Sequence, residues 1–489
     1  MPKHAILGAA ALLLTTAPAA WADLDAPTIW ADWQSLYQTM GLELTAETES
    51  YEGGTLTLDG LTMTAEIAGA ESVANYGSIT LVEQGDGTVR VNIPAVIESK
   101  TTTEVDGYSQ DQTVTFTNEG LSLIVREDGA ERVYDFAADA VSMLIETDTN
   151  VGPDAPNVAI TFTDIVSEYR SGVDGDANKF AQTFNNDALT INVSSEGDAP
   201  GVLNYVMSGV EGVVDGTYGD LEGPGFTASK LLNIEYAATI THSGSTTNLS
   251  MQNPEGPFTM TGASASGSLG FGMEDGVVSY DIGSTDANVQ MQLPMLPVPV
   301  SMSMSEARTA FDFPLGPVGE EKPFGMTLSY RGLAIDDALW GLFDPTGQLP
   351  RDPADLVVDL EGTAVLNVDV FGDPEAMAGL QGPPGELKGV AIKQILLSLA
   401  GAELRGSGDL DFPTPGPVPQ PVGTINLALD GGFSLIDKIV ALGFIPAEQA
   451  AFVKGMAGAV AKPVGDDQLE SVIEFTPGGG ITANGLPLQ

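Results

Sequence analysis

Beyond residue 54 the apolar residues of this chain recur at every second position, run after run, with Gly, Asn and Asp gathered between the runs. A period of two is the repeat of a β-strand, whose side chains point alternately to the two faces of a sheet. Leu56 and Leu58, then Leu61, Met63, Ala65 and Ile67, alternate with Thr and Glu around Asp59-Gly60, and Ile79, Leu81, then Val89, Val91, Ile93 flank Gly85-Asp86-Gly87. Both stretches read as β-hairpins. Similar runs follow at 114–116, 121–125, 158–162, 189–193, 203–207, 234–240 and 258–260. One apolar and one polar face with short turns between is the signature of an antiparallel meander wet on one side.

Only the mature N-terminus departs from this rhythm early in the chain. From Asp25, with Pro27 in the first turn, Ile29, Trp30, Trp33, Leu36, Tyr37 and Met40 fall at helical spacing, and Gly41 supplies a stop. Two Trp and a Tyr on one stripe predict a helix that plugs the sheet, because large aromatic rings dominate core burial. Further on, 335–343 reads as a short helix ahead of a Pro-rich turn over 344–353, which suggests a boundary near residue 345. Strands follow at 356–370, 390–399, 402–412 and 425–429, then two helices at 434–442 and 447–461 split by Gly443-Phe444-Ile445-Pro446. A last hairpin, 469–475 with 481–486, turns through Pro477-Gly478-Gly479-Gly480. The expected class is mainly β: an elongated antiparallel meander or curved sheet with an N-terminal helix and a C-terminal helix pair. It is divided into a leader over 1–22, a β-rich region over 23–345 and a second over 346–489.

The leader has the layout of a secretory signal. Lys3 is its positive charge, Ala5 to Ala17 its apolar stretch, and Ala20-Trp21-Ala22 a small-x-small site, so cleavage is expected between Ala22 and Asp23. No later window is long and apolar enough for a transmembrane segment, which predicts an exported, periplasmic chain with none in its mature part. The formal net charge is −49, from 67 Asp and Glu against 18 Lys and Arg. Such a chain repels phosphates, which argues against nucleic acid and anionic lipid surfaces as electrostatic partners.

Chemistry is constrained by what is scarce. The chain has no Cys and two His, of which His4 lies in the leader and His242 follows the 234–240 run. Ser243 beside it lacks a nucleophile elbow, and a triad needs three positioned groups. Asp174-Gly175-Asp176-Ala177-Asn178 begins like a calcium loop, but Lys179 stands where Gly is required and Asn185 where Glu is. Carboxylate pairs for glycoside chemistry are so abundant that they point nowhere. The Pro-rich stretch 411–421 contains PxxP spacing yet reads as a stiff hairpin connection. No cofactor, metal or catalytic residue is expected, and the chain reads as non-enzymatic.

Methionine supplies the positive clue. Eight of the fifteen Met lie between Met251 and Met326, and Met291, Met295, Met302 and Met304 alternate with polar residues around the Pro-broken stretch 296–299. Unbranched thioether side chains adapt to varied apolar partners, so these four are the expected lining of a groove for lipid or another apolar molecule. The other expectation is a scaffold of envelope assembly that recruits envelope proteins through exposed sheet edges.

Three places resemble the bacterial family known as domain of unknown function 2125. They are Ile29-Trp30-Ala31-Asp32-Trp33-Gln34 with Gly53-Gly54-Thr55-Leu56-Thr57, the segment Gly401-Ala402-Glu403-Leu404-Arg405-Gly406-Ser407-Gly408-Asp409-Leu410, and 423–461 with the closing 480–488. The resemblance implies an exported cell-envelope protein. The strand-after-strand layout is in turn similar to AsmA-like envelope proteins, whose β-grooves are implicated in phospholipid movement, although this chain lacks their clear N-terminal membrane anchor.

Overall fold

A computed structural model describes residues 24–39, 42–67, 70–105, 108–147, 156–174, 177–196, 200–219, 232–296, 298–370, 382–413 and 419–488. The expected leader and its cleavage point at Ala22 and Asp23 lie outside the described residues, as do Gly175 and Asp176 of the calcium-like loop. The fold is mainly β, 68% strand, with antiparallel pairing throughout and helices where the period changed. The backbone divides into two compact units, Met1–Thr261 and Gly262–Gln489, so residue 345, the expected boundary, lies inside the second.

In the first unit, α1 (Ala26–Thr39) starts where Asp25, the residue from which the sequence reading ran the helix, accepts the Thr28 amide at 2.8 Å with Oδ1 as an N-cap. Its apolar stripe, Ala26, Ile29, Trp30, Trp33, Leu36 and Tyr37, is at most 5% exposed. The helix packs on β1 (Leu42–Thr45), β3 (Thr55–Ile67) and β4 (Ala70–Glu83), while β2 (Thr48–Glu52) pairs with β3. The core beneath α1 gathers Leu56, Leu58, Leu61, Ile79 and Leu81 with Val89 and Val91 from β5 (Val89–Asn92). The hairpin of β4 and β5 turns through Gly85-Asp86-Gly87 as expected.

The sheet continues through β6 (Val96–Val105), β7 (Tyr108–Glu119), β8 (Ser122–Asp128), β9 (Glu131–Thr147), β10 (Asn157–Asp174), β11 (Ala177–Ser195), β12 (Gly201–Tyr218), β13 (Ile234–His242) and β14 (Ser245–Asn253). Two of the long strands, β9 and β12, each take two short partners along one edge. Strand β9 pairs with β8 over 131–137 and with β7 over 140–147; β12 pairs with β14 over 201–207 and with β13 over 210–218.

These handovers fall on a seam where the alternation slips by one residue. Apolar positions run Tyr134, Phe136, Ala138 and then Val141, Met143, Ile145 in β9; in β12 the step is from Met207 to Val210. Between them Ser208 and Gly209 are both exposed, with Gly209 at φ +55°, and Asp164 of β10 sits at φ +49°. A residue inserted in the left-handed region turns two consecutive side chains outward, so the apolar residues on both sides of the seam keep to one face.

The same device corrects the reading of Asp59-Gly60. That pair makes no hairpin turn: β3 runs unbroken through it, and the register with β4 shifts between Leu58 and Leu61. Gly60 takes φ +62°, and a Cβ there would meet the Glu47 side chain at 2.6 Å, so an Asp-Gly pair serves as an in-strand kink.

Strand β15 (Gly256–Ser264) carries the chain over the division between the units. The second unit is a meander of β16 (Ser266–Glu274), β17 (Val277–Gln292), β18 (Val300–Pro314), β19 (Glu321–Ile335), β20 (Ala354–Leu366), β21 (Gly385–Leu399), β22 (Ala402–Asp411) and β23 (Val422–Asp430), each paired with the next. Helix α2 (Asp337–Phe343) begins later than the sequence suggested because Ile335 still pairs with Met302. Its cap, Asp336, accepts the Leu339 amide at 2.8 Å with Oδ1 and the Ser301 amide at 2.8 Å with Oδ2, tying helix to strand. Asp411 pairs with Val422, so the Pro-rich connection does close a hairpin.

After β23 come α3 (Gly432–Ala441) and α4 (Ala447–Val460), near the expected bounds. The chain then returns through β24 (Lys462–Gly465) to β25 (Gln468–Thr476), which pairs with β23, and ends in β26 (Gly480–Ala483) and β27 (Leu486–Pro487). A second seam crosses this unit at Asp286 (φ +48°) and Gly332 (φ +67°). Gly332 donates its amide to Asp355 Oδ1 at 2.8 Å, and Ser305 Oγ donates to the Arg331 carbonyl at 2.9 Å.

Candidate functional site

Register turns the period-two runs into transverse rows. In the first unit Phe116, Met143, Ile160, Ile191 and Tyr205 stand side by side on adjacent strands, as do Val114, Ile145, Val158, Val193, Leu203 and Leu249. Cross-strand neighbours on one face lie about 4.5–5.5 Å apart, so each row is a continuous apolar strip. Most of these side chains are half-buried. The opposite face of the same strands is polar: Ser142 Oγ and Thr161 Oγ1 are 3.0 Å apart, and Asn204 Nδ2 donates to Asn192 Oδ1 at 2.8 Å.

On the other side of the seam that outward face is charged. Arg126 bonds Asp135 at 2.7 Å and Glu168 at 3.0 Å, and Arg170 holds Glu168 at 2.7 Å and Glu131 at 3.3 Å. The hydrogen bond to Asp135 is the main reason Arg126 is held above its usual range, and bonds to Glu168 and then Asp128 do the same for Arg170.

The second unit shows the same two-faced sheet with less cover. Phe271, Tyr280, Phe311, Met326, Leu360 and Ile392 form one row, and Tyr330, Leu356, Leu397, Leu404, Leu429 and Leu469 another. Phe271 and Tyr280 are each 39% exposed, Phe311 40%, Phe313 55% and Ile282 43%. The polar face of the same strands is open as well: Asp281 pairs with Arg308, whose Nη2 lies 2.7 Å from its Oδ2, with side chains 42% and 48% exposed. Taking roughly 200 Å² per aromatic side chain, the four rings leave on the order of 300–400 Å² open, as large as the biggest apolar patch on an ordinary monomer. The helices pack at the margins: α1 on β1, β3 and β4, α2 on β18 and α3 on β22.

Three of the four expected Met belong to this face. Met291 pairs with Val300, Met302 with Val289, and Met304 with Ala287, so Met291, Met302 and Met304 point the same way and are half-buried. Beyond Asp286 they continue the strip that Ile282 and Tyr280 begin, because the seam slips the alternation by one. Met295 is set apart. It lies past the end of β17 in the turn and is 81% exposed. The row of Phe271, Tyr280 and Phe311 had no counterpart in the sequence reading: each ring sits in a different strand, and alternation fixes faces without fixing neighbours.

Reactive groups do not converge. His242 ends β13 with Nδ1 accepting the Gly244 amide at 3.3 Å, and burial lowers its proton affinity. Ser243 Oγ donates to the Ser208 carbonyl at 3.1 Å. Among the described residues no three His, Asp or Glu are grouped to hold a metal ion, and no helix is long and apolar enough to cross a membrane. Set beside known proteins, the chain matches no family model and no curated sequence.

Proposed function

We propose that the protein is a non-enzymatic, exported periplasmic protein that binds lipid or another apolar ligand along the apolar faces of its sheets. The observation that carries this reading is the exposed apolar face of the second unit, where Tyr280, Ile282, Phe311 and Phe313 of neighbouring strands all lie open. A soluble meander with no ligand gains by showing water its polar side. The half-buried Met291, Met302 and Met304 add an adaptable margin to the strip. The resemblance to domain of unknown function 2125, and through it to AsmA-like grooves, fits this reading. The edges favour it over strand recruitment: β2, exposed at all five positions, carries Glu49 and Glu52, and charge on an edge discourages β-addition.

The test is to purify the chain from the compartment it is exported to and identify co-purifying molecules by native mass spectrometry and lipid extraction. Near-stoichiometric phospholipid, lost in Phe311→Glu and in Met302→Glu, is the expected result. An apo protein that takes up no added lipid would end the proposal.

A further inference from the structure

The helix pair carries an apolar surface of its own, unrelated to the sheet rows. Helix α4 follows the turn at Phe444 and Ile445 and exposes Phe452 (69%), Val453 (50%) and Met456 (57%), with Phe444 itself at 56%. Ala451, Gly455, Gly458 and Ala459 are exposed between them. From 451 to 461 the one polar side chain is Lys454, and it is folded back: Nζ lies 2.6 Å from Asp437 Oδ1 on α3 and 5.4 Å from the Phe433 ring centroid. Past the first turn, where Glu448 and Gln449 are exposed, the outward surface of this helix therefore bears no free charge. A helix that packs into a protein groove keeps one apolar stripe and a polar back, whereas one that is apolar over most of its circumference suits hydrocarbon.

Charge points the same way. Residues 431–465 hold two acids, Asp437 and Glu448, against Lys438, Lys454 and Lys462, in a chain whose net charge is −49. This is a stretch from which the acidic repulsion of the rest of the molecule has been removed. Its place in the fold also matters. Helix α3 begins directly after β23, touches β22, and so stands at the strand end where the row Leu356, Leu397, Leu404 and Leu429 finishes.

We propose that the α3–α4 hairpin docks on the surface of a lipid bilayer, seating Phe444, Phe452, Val453 and Met456 among the acyl chains. The proposal stands on the hairpin's own surface and does not require the sheet to bind lipid. The driving force is apolar burial, so docking persists at about 0.5 M salt, where exposed charges are screened.

Flotation of the mature chain with phosphatidylcholine–phosphatidylethanolamine vesicles tests it. We expect the wild-type chain to float and a Phe452→Asp, Met456→Asp variant to lose about tenfold or more of its vesicle partitioning with an unchanged melting curve. Phe311→Glu, which interrupts the sheet face, is expected to float as wild type does. Failure of the wild-type chain to float, or equal flotation of the hairpin variant, overturns the proposal even where the sheet is shown to bind extracted lipid. So does a wild-type dimer that the hairpin variant abolishes in the absence of vesicle partitioning, since that surface would then belong to a second copy of the chain.

Discussion

The sheet under α1 and the sheet at the start of the second unit are built from the same alternation and end in opposite states. Beneath α1, Leu58, Ile79, Leu81 and Val89 are at most 1% exposed, sealed by Trp30 and Trp33. On β16, β17 and β18 the equivalent positions hold Phe271, Tyr280, Phe311 and Phe313, all at least 39% exposed. The strands do not differ in apolar content so much as in cover. What sets them apart is one aromatic helix, which turns an apolar face into a core in the first case; among the described residues no such helix covers the second.

Removing the cover is the strongest way to break that contrast. Trp33→Ala is expected to lower stability by about 3–5 kcal/mol, the cost of emptying a large buried aromatic site, measurable by urea unfolding of the first unit's tryptophan signal. Next is the tie between helix and sheet, Arg132 Nη1 to Asp32 Oδ2 at 2.6 Å with both side chains largely buried. Arg132→Ala leaves the Asp32 carboxylate buried alone and should cost about 3 kcal/mol near neutrality.

The pH dependence of that loss has a definite sign. Burial holds the Asp32 carboxyl above its ordinary value, with Arg132 working against the shift. Asp32 therefore favours folding at pH below its unfolded value and loses that contribution as pH rises through its raised one. Without Arg132 the deficit relative to wild type should be larger at neutral pH than in acid, where Asp32 carries a proton. An equal deficit at both would show that the pair is not coupled to folding.

A smaller effect concerns the hairpin. Asp467 accepts the amides of Phe433 and Ser434, each at 2.8 Å, as a cap for α3 supplied from beyond it in sequence. Burial pushes its carboxyl up, but the bonds from Ser434 and Phe433 outweigh this and hold it below the usual range. Its contribution is present above the unfolded carboxylate value and is lost as pH falls through the lower folded one. Asp467→Ala should cost about 1 kcal/mol at neutral pH and less in strong acid, read by amide exchange in α3.

The smallest expected change in stability sharpens the comparison most. Phe311→Ser should change the unfolding free energy by no more than about 0.5 kcal/mol, against several for Trp33→Ala, while abolishing lipid uptake. A large loss of stability at Phe311 would mean that the second face is a core after all.

Much of this was legible in the residues. The Asp25 cap and the Trp30, Trp33, Tyr37 stripe specify α1, and the Gly-rich turns at 85–87 and 477–480 specify their hairpins, because local spacing and turn chemistry decide those elements. Asp59-Gly60 misled, since the same dipeptide serves a hairpin or a kink. The distinguishing signal was present in the spacing: apolar residues three apart inside a period-two run, as at Leu58 and Leu61, Phe162 and Ile165, and Tyr330 and Leu333. Met295 misled for the opposite reason, because alternation continued on paper past Gln292, where the strand stops. The ring cluster on β16 to β18 depends on which strands are neighbours, which no single run reveals.

The seams give the chain an uneven tolerance to insertion and deletion. In most β proteins the lengths of loops drift freely while strands hold their count. Here a one-residue deletion at Asp164 would leave Phe162 and Ile165 two apart and on one face within β10, but one residue out of step with β9 and β11, so that half of the strand would lose its face-matched pairing. The compensating change would have to occur in β9 and β11 as well. Length change along these strands is thus a matter of matched sets across the sheet, and the spacing of three marks, in the sequence itself, where such a set is anchored.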